Sequence, residues 1–232
     1  DYYQHRYQLD YKRTYQPSRR HIYRAGKVAV ERFLKLEPFV QPGWRLLDVG
    51  ASSGELVYVL RAMGYEASGV EPNEGYARFA NETLGVPVTR CFYQEAPIEP
   101  ESVDFVTAFH VLEHLETPLD ALGCFHSWLR SGGCLLVEVP NVEAVCQWPG
   151  NTFHRAHLHY FNPPTLEMLG RRSGYNVLSS ILSADGGNIT VAFQKATAPP
   201  PASGEICGNF ERVASIVRSH TPRRHLFSPH PY

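Results

Sequence analysis

No stretch of the 232-residue sequence approaches the roughly 18 consecutive apolar residues of a membrane-spanning helix, which argues against a membrane partner. A signal-peptide pattern is also missing. Cysteine is scarce and unpatterned: Cys91, Cys124, Cys134, Cys146 and Cys207 make five, an odd number with no C-x-x-C pair. That speaks against a disulfide framework or a zinc knuckle and fits reduced thiols in a cytoplasmic protein. Excess charge is lacking too, with 22 Lys and Arg against 23 Asp and Glu and a formal net charge of −1. The chain as a whole offers no electrostatic footprint for nucleic acid. What it does have is apolar material, 43% hydrophobic with 12% aromatic, enough for one good-sized domain with additions. Asn81-Glu82-Thr83 and Asn188-Ile189-Thr190 match the glycosylation sequon, and with no sign of secretion they are read as chance.

The remainder is organised around Leu46 to Leu56, LLDVGASSGEL. A short buried strand runs through Asp48 into the small-residue loop Gly50-Ala51-Ser52-Ser53-Gly54 and then into an apolar-periodic helix. In an open α/β sheet the crevice at the carboxyl end of such a strand receives nucleotide-like ligands. A dinucleotide site uses G-x-G-x-x-G; here the spacing is D-x-G-x-x-x-G. Asp48 beside the loop would repel a phosphate and suits a ligand bearing an ammonium group. A second strand, Ala67 to Val70, ends in Glu71-Pro72-Asn73, about 20 positions beyond the loop, where a carboxylate takes the ribose hydroxyls. Two carboxylates without a phosphate cradle imply a cationic nucleoside.

With the ordered set LLDVGASSG, GVEP, FHVLEHL and LVEVPN, residues 42–195 resemble the class I S-adenosylmethionine-dependent methyltransferases, in their small-molecule branch. The resemblance implies S-adenosyl-L-methionine as cofactor and a small-molecule acceptor, with a sugar or secondary metabolite as substrate and oxygen as the acceptor atom. It places Asp48 by the methionine ammonium, Gly50, Ala51, Ser52 and Gly54 in the cofactor loop, Glu71 on the ribose and Pro72 by the adenine. Phe92 and Tyr93 fall in the adenine-binding loop, although Phe92 stands where the family usually has an aspartate. His110 contributes its backbone carbonyl to the methionine ammonium. The fold implied is α/β, a doubly wound Rossmann-like sheet, mostly parallel with an antiparallel edge hairpin and helices on both faces. The expected organisation is an N-terminal helical arm or lid over 1–40, the cofactor-binding domain over 41–196, and a Pro-rich linker and tail over 197–232.

Methyl transfer asks mainly for in-line positioning, and an oxygen acceptor adds the need for a general base, most often histidine. His110 and His114 follow the fourth strand, Ser102 to Phe109; His154, His157 and His159 occupy the irregular stretch after the fifth, Leu135 to Val139. By resemblance His157 comes first as the base, then His114. The three loop histidines could instead hold a metal, completed by Glu113 or His114, since imidazoles suit zinc, copper or iron. With no cysteine and few carboxylates beside them, no metal is expected. The first arm carries Tyr3, Tyr7, Tyr11 and Tyr15 at four-residue spacing among Arg6, Lys12, Arg13, Arg19, Arg20 and Arg24. These read as packing aromatics with solvated basic groups, a nucleic-acid methyltransferase being the less favoured alternative. A non-catalytic cofactor- or metal-binding module on the same fold is the other.

The remaining periodicity predicts helices over Ala25 to Leu36 with Val28, Phe33 and Leu36 apolar, after the loop with Leu56, Val57, Leu60 and Met63 inward, and from Asn73 to Leu84. Further ones start at Thr117-Pro118, with Leu119, Leu122, Phe125 and Leu129 as the stripe and Gly132-Gly133 as the stop, at Asn162-Pro163, and at Phe210 to Ser219. Val86 to Arg90 is a third strand, and Asn176 to Leu182 and Gly187 to Lys195 form the hairpin.

Overall fold

Arg45–Val49 (β1) is the strand from which the sheet is built outward, and four of its five residues are buried. Glu66–Val70 (β2) pairs parallel with it on one side and Val103–Phe109 (β4) parallel on the other. The short β3, Val88–Thr89, adds to β2, again parallel. Chain order reverses at β1, the topological switch point where α/β sheets receive ligands. The structure is a computed structural model that describes residues 17–198, 204 and 206–226. Seven strands form one sheet in the order β3-β2-β1-β4-β5-β7-β6, with Leu129–Pro140 as β5, Tyr175–Leu182 as β6 and Asn188–Lys195 as β7. The last two are antiparallel, the predicted edge hairpin. The described residues fall into two compact units, one within Asp1–Ala108 and Ser127–Leu135, the other within Phe109–His126 and Leu136–Tyr232.

In the first unit, α1 spans Arg19–Leu36 and begins at Arg19 rather than Ala25, because Ser18 caps it by accepting the His21 N–H at 3.2 Å. It buries Ala29, Phe33 and Leu36, while Val28 is only half-buried. After the loop, α2 (Glu55–Ala62) buries Leu56, Val57 and Leu60. Met63 follows its end and is 55% exposed, outside the stripe predicted for it. Helix α3 (Glu74–Phe79) starts at Asn73, whose side chain accepts the Tyr76 N–H at 3.1 Å, and continues as a π turn through Ala80–Leu84 to Gly85. The third strand is shorter than the predicted Val86 to Arg90.

Helix α4 spans Pro118–Trp128, with Ala121, Leu122 and Phe125 fully buried and Leu119 37% exposed, so Leu119 lies off the predicted stripe. Strand β5 begins at Leu129, a residue predicted for the helix stripe, and runs through Gly132-Gly133, the predicted helix stop. In the second unit Asn162 makes a capping box with Thr165 at the start of α5, Pro163–Arg172. Buried Tyr175 donates its hydroxyl to the Leu122 carbonyl at 3.0 Å, which fixes the start of β6. Helix α6 (Asn209–Ser219) matches the expected C-terminal helix and is followed by α7 (Pro222–Leu226), which the sequence did not signal. The four-residue tyrosine repeat, Pro199-Pro200-Pro201 and the chain end after 226 lie outside the described residues.

Candidate functional site

The acids flanking the glycine loop are both buried and both engaged. Asp48, 4% exposed, sits beside Thr107 in the β1–β4 register and accepts that hydroxyl at 2.6 Å. Burial raises its pKa to about 6, with Glu55 adding to the rise and the Thr107 bond and the Arg32 charge opposing it. Glu71, at the end of β2, uses both oxygens on backbone: Oε2 accepts the Ser52 N–H at 2.9 Å and Oε1 the Asn73 N–H at 2.8 Å. Its carboxylate therefore ties the loop after β1 to the loop after β2. A carboxylate oxygen can accept more than one hydrogen bond.

Most amides of the loop between them are bonded within the protein. The Gly50 and Ala51 N–H groups both donate to the Val70 carbonyl, at 2.9 and 3.0 Å, and the Gly54 N–H donates to Ala51 at 2.9 Å. With the Ser52 amide on Glu71, four of the five loop amides, those of Gly50, Ala51, Ser52 and Gly54, bond within the protein. The small residues serve packing as well: a Cβ on Gly54 would lie 2.7 Å from the Ala80 methyl, and one on Gly69 2.5 Å from the Ala51 methyl. Ser53 donates to Glu55 at 2.6 Å and lies 3.4 Å from His21 Nε2 on α1, so the first described helix touches this loop. Phe92 is half-buried at the start of the 3-10 turn Tyr93–Glu95, in which Tyr93 is buried; Pro72 is half-buried.

The second unit holds the histidines. His110 adopts φ +57° directly after β4, its N–H donating to the Glu138 carbonyl at 2.8 Å. Its ring lies between two buried carboxylates, with Nδ1 3.2 Å from Glu113 Oε1 and Nε2 3.5 Å from Glu138 Oε1. Glu138 in turn accepts the Thr190 hydroxyl at 2.7 Å. His114 Nδ1 lies 2.9 Å from the Ala156 carbonyl, which can only accept, so Nδ1 carries the proton. The Leu158 and His159 amides both donate to the Glu113 carbonyl, at 2.8 and 3.2 Å, and this carries His157 to Glu113 and His114. The His114 and His157 rings meet edge to face at 4.8 Å. Burial, then the neighbouring His114, pushes the His157 pKa down to about 4 against the pull of Glu113, so its imidazole is neutral at physiological pH. His154 and His159 are occupied locally: His154 Nδ1 accepts the Ala156 N–H at 3.2 Å, and His159 Nε2 lies 3.2 Å from the Glu116 carbonyl.

The predicted cofactor residues Asp48, Gly50, Ala51, Ser52, Gly54, Glu71, Pro72, Phe92 and Tyr93 belong to the first unit. His110, His114 and His157 belong to the second, where His114 and His157 come together with Glu113. Thr107, Arg32 and Glu138 were missed from sequence. Thr107 was the recoverable one, because parallel register with β1 sets it beside Asp48.

A family profile described as a methyltransferase domain matches residues 15–180. Among curated proteins, an uncharacterized methyltransferase of Staphylococcus carnosus (strain TM300) is 27% identical over 95 residues, 40% of this chain; the match spans 45% of that protein's length. Among solved structures, a SAM-dependent methyltransferase of Archaeoglobus fulgidus aligns with TM-score 0.62 and 19% identity over 73% of this chain and 94% of its own. One of Thermotoga maritima, titled a possible histamine N-methyltransferase, aligns with TM-score 0.56 and 20% identity over 75% and 99%. A putative methyltransferase of Haloferax volcanii, solved in complex with the Trm112 methyltransferase activator, gives TM-score 0.62 and 14% identity over 75% and 94%. At such identities the likeness is one of fold.

Proposed function

The chain belongs to the methyltransferase domain family, and from that premise we propose that it is an S-adenosyl-L-methionine-dependent methyltransferase acting on an oxygen of a small molecule such as a sugar or secondary metabolite. The observation that carries the reading is Glu71, a buried carboxylate anchored by two amides beside a loop in which the Gly50, Ala51 and Gly54 amides also bond within the protein. That donor set suits ribose hydroxyls and a cation, and it does not suit a diphosphate. In this reading Glu71 accepts from the ribose and ionised Asp48 balances the methionine ammonium. Pro72, Phe92 and Tyr93 provide the adenine surface.

The bound donor supplies a methyl group on a sulfonium, so the protein's own work is to bind, orient and exclude water. His157 and His114 take the general-base role. Neutral His157 accepts the hydrogen bond that orients the acceptor hydroxyl, and its lowered basicity restricts it as a base to a hydroxyl whose acidity is already raised. Titration calorimetry of the intact chain with S-adenosylhomocysteine tests the reading: binding of one equivalent is expected, and no binding overturns it.

A further inference from the structure

We propose that Glu113, His114 and His157 bind one divalent first-row transition-metal ion, with coordination positions left for an oxygen ligand. Among the described residues, each of the three offers a ligand atom and these atoms lie within 4.8 Å of one another. Two imidazoles and a carboxylate favour zinc, iron or manganese over calcium or magnesium, and three protein ligands leave a position for an exchangeable group.

Two observations separate this cluster from a chance meeting of polar side chains. Glu113 is 1% exposed, and among the described residues its Oε2 has no hydrogen-bond partner. A buried carboxylate oxygen left in that state is costly, and a cation removes the cost. Glu113 Oε1 is meanwhile held by His110 Nδ1 at 3.2 Å, as ligating carboxylates are held by outer-shell donors. The second observation is His114: with its Nδ1–H on the Ala156 carbonyl at 2.9 Å, the ring is fixed in the tautomer whose lone pair is on Nε2. Nε2 is also the atom that faces Glu113, at 3.9 Å from Oε1.

Ligands bound at about 2.0–2.1 Å to a four-coordinate ion stand roughly 3.3 Å apart, so ligand atoms now within 4.8 Å of one another close by up to about 1.5 Å on binding. Rotation of the half-buried His157 ring, on its loop, supplies that movement. His154 and His159, which spacing alone groups with His157, are not among the residues whose ligand atoms gather here. With an ion bound, the lone pairs of His114 and His157 are on the metal, which would take over their part toward the acceptor hydroxyl by holding it and lowering its pKa, as metals do for bound water. That role rests on the methyl-transfer reading; metal binding itself does not.

The test is equilibrium dialysis of the chelator-treated full chain against Zn2+, with the visible absorption of Co2+ as a second readout. One ion per chain is expected. His157→Ala and Glu113→Gln should each lower Zn2+ affinity at least about tenfold and alter the Co2+ spectrum, whereas His159→Ala should do neither. If Glu113→Gln does not fold, His157→Ala carries the test alone. No uptake by the wild-type chain, or uptake that is unchanged in His114→Ala and His157→Ala, overturns the proposal. Metal binding without S-adenosylhomocysteine binding would uphold this site and sink the methyl-transfer reading; the opposite pair of results would do the reverse.

Discussion

Replacing Glu71 separates two jobs that one carboxylate performs. Its oxygens accept the Ser52 amide at 2.9 Å and the Asn73 amide at 2.8 Å from a position only 8% exposed. Hydrogen bonds to a charged group contribute about 1.5–3 kcal/mol each, so Glu71→Ala should cost about 3–6 kcal/mol of stability. Against a total of about 5–15 kcal/mol that variant is at risk of unfolding. Glu71→Gln is the sharper instrument. It keeps one acceptor oxygen and turns an NH2 toward the other amide, for a loss of about 1.5–3 kcal/mol. With an urea m-value of about 2 kcal/mol/M, the unfolding midpoint should fall by roughly 1 M. The neutral amide also weakens the bonds to ribose, so affinity for S-adenosylhomocysteine should drop about 10- to 100-fold by calorimetry. An unchanged midpoint would refute the loop-tying role. An unchanged affinity in a folded Gln variant would mean that the ribose binds elsewhere.

Asp48 gives a pH signature. Its pKa is 3.8 ordinarily and about 6 in the fold, so its folded state prefers the proton. The stability it contributes is therefore fully present below pH 3.8 and is lost as pH rises through about 6, to the extent of about 3 kcal/mol. Asp48→Asn should accordingly be more stable than wild type at pH 7 yet bind S-adenosylhomocysteine more weakly, and wild-type affinity should climb with pH through about 6; a pH-independent affinity contradicts its pairing with the ammonium. In α5, a Cβ on Gly170 would lie 2.1 Å from Phe193 Cε1, whereas Gly123 in α4 has nothing within 4 Å. Gly170→Ala should lose about 1–3 kcal/mol and lower Tm by a few degrees, while Gly123→Ala gains up to about 1 kcal/mol; equal Tm values for the two variants would refute the packing account.

Local sequence carried most of the fold wherever a chemical reason for an element lay within a few residues of it. Asn73 and Asn162 announced their helices because a cap acts over three positions, and the side-chain bonds to Tyr76 and Thr165 follow. Loop and carboxylate at the ends of β1 and β2 were legible for the same reason, strand period giving way to small residues. Met63 and Leu119 were misplaced because both lie at the margin of an apolar stripe, where a small rotation separates core from solvent. The start of α1 was missed because Arg19 and Arg20 carry no apolar period, only the Ser18 cap. The grouping of Glu113 and His114 with His157 depends on two amides reaching back to one carbonyl across the loop after β5. No local pattern encodes that closure, and the sequence names Glu113 or His114 only as completing a set drawn from His154, His157 and His159.

The most direct test of the central claim, that the buried acids flanking the glycine loop select a cationic nucleoside, is a calorimetric comparison of S-adenosylhomocysteine and NAD on the intact chain. One equivalent of S-adenosylhomocysteine should bind and NAD should give no heat; NAD binding in preference, or neither ligand binding, contradicts the account.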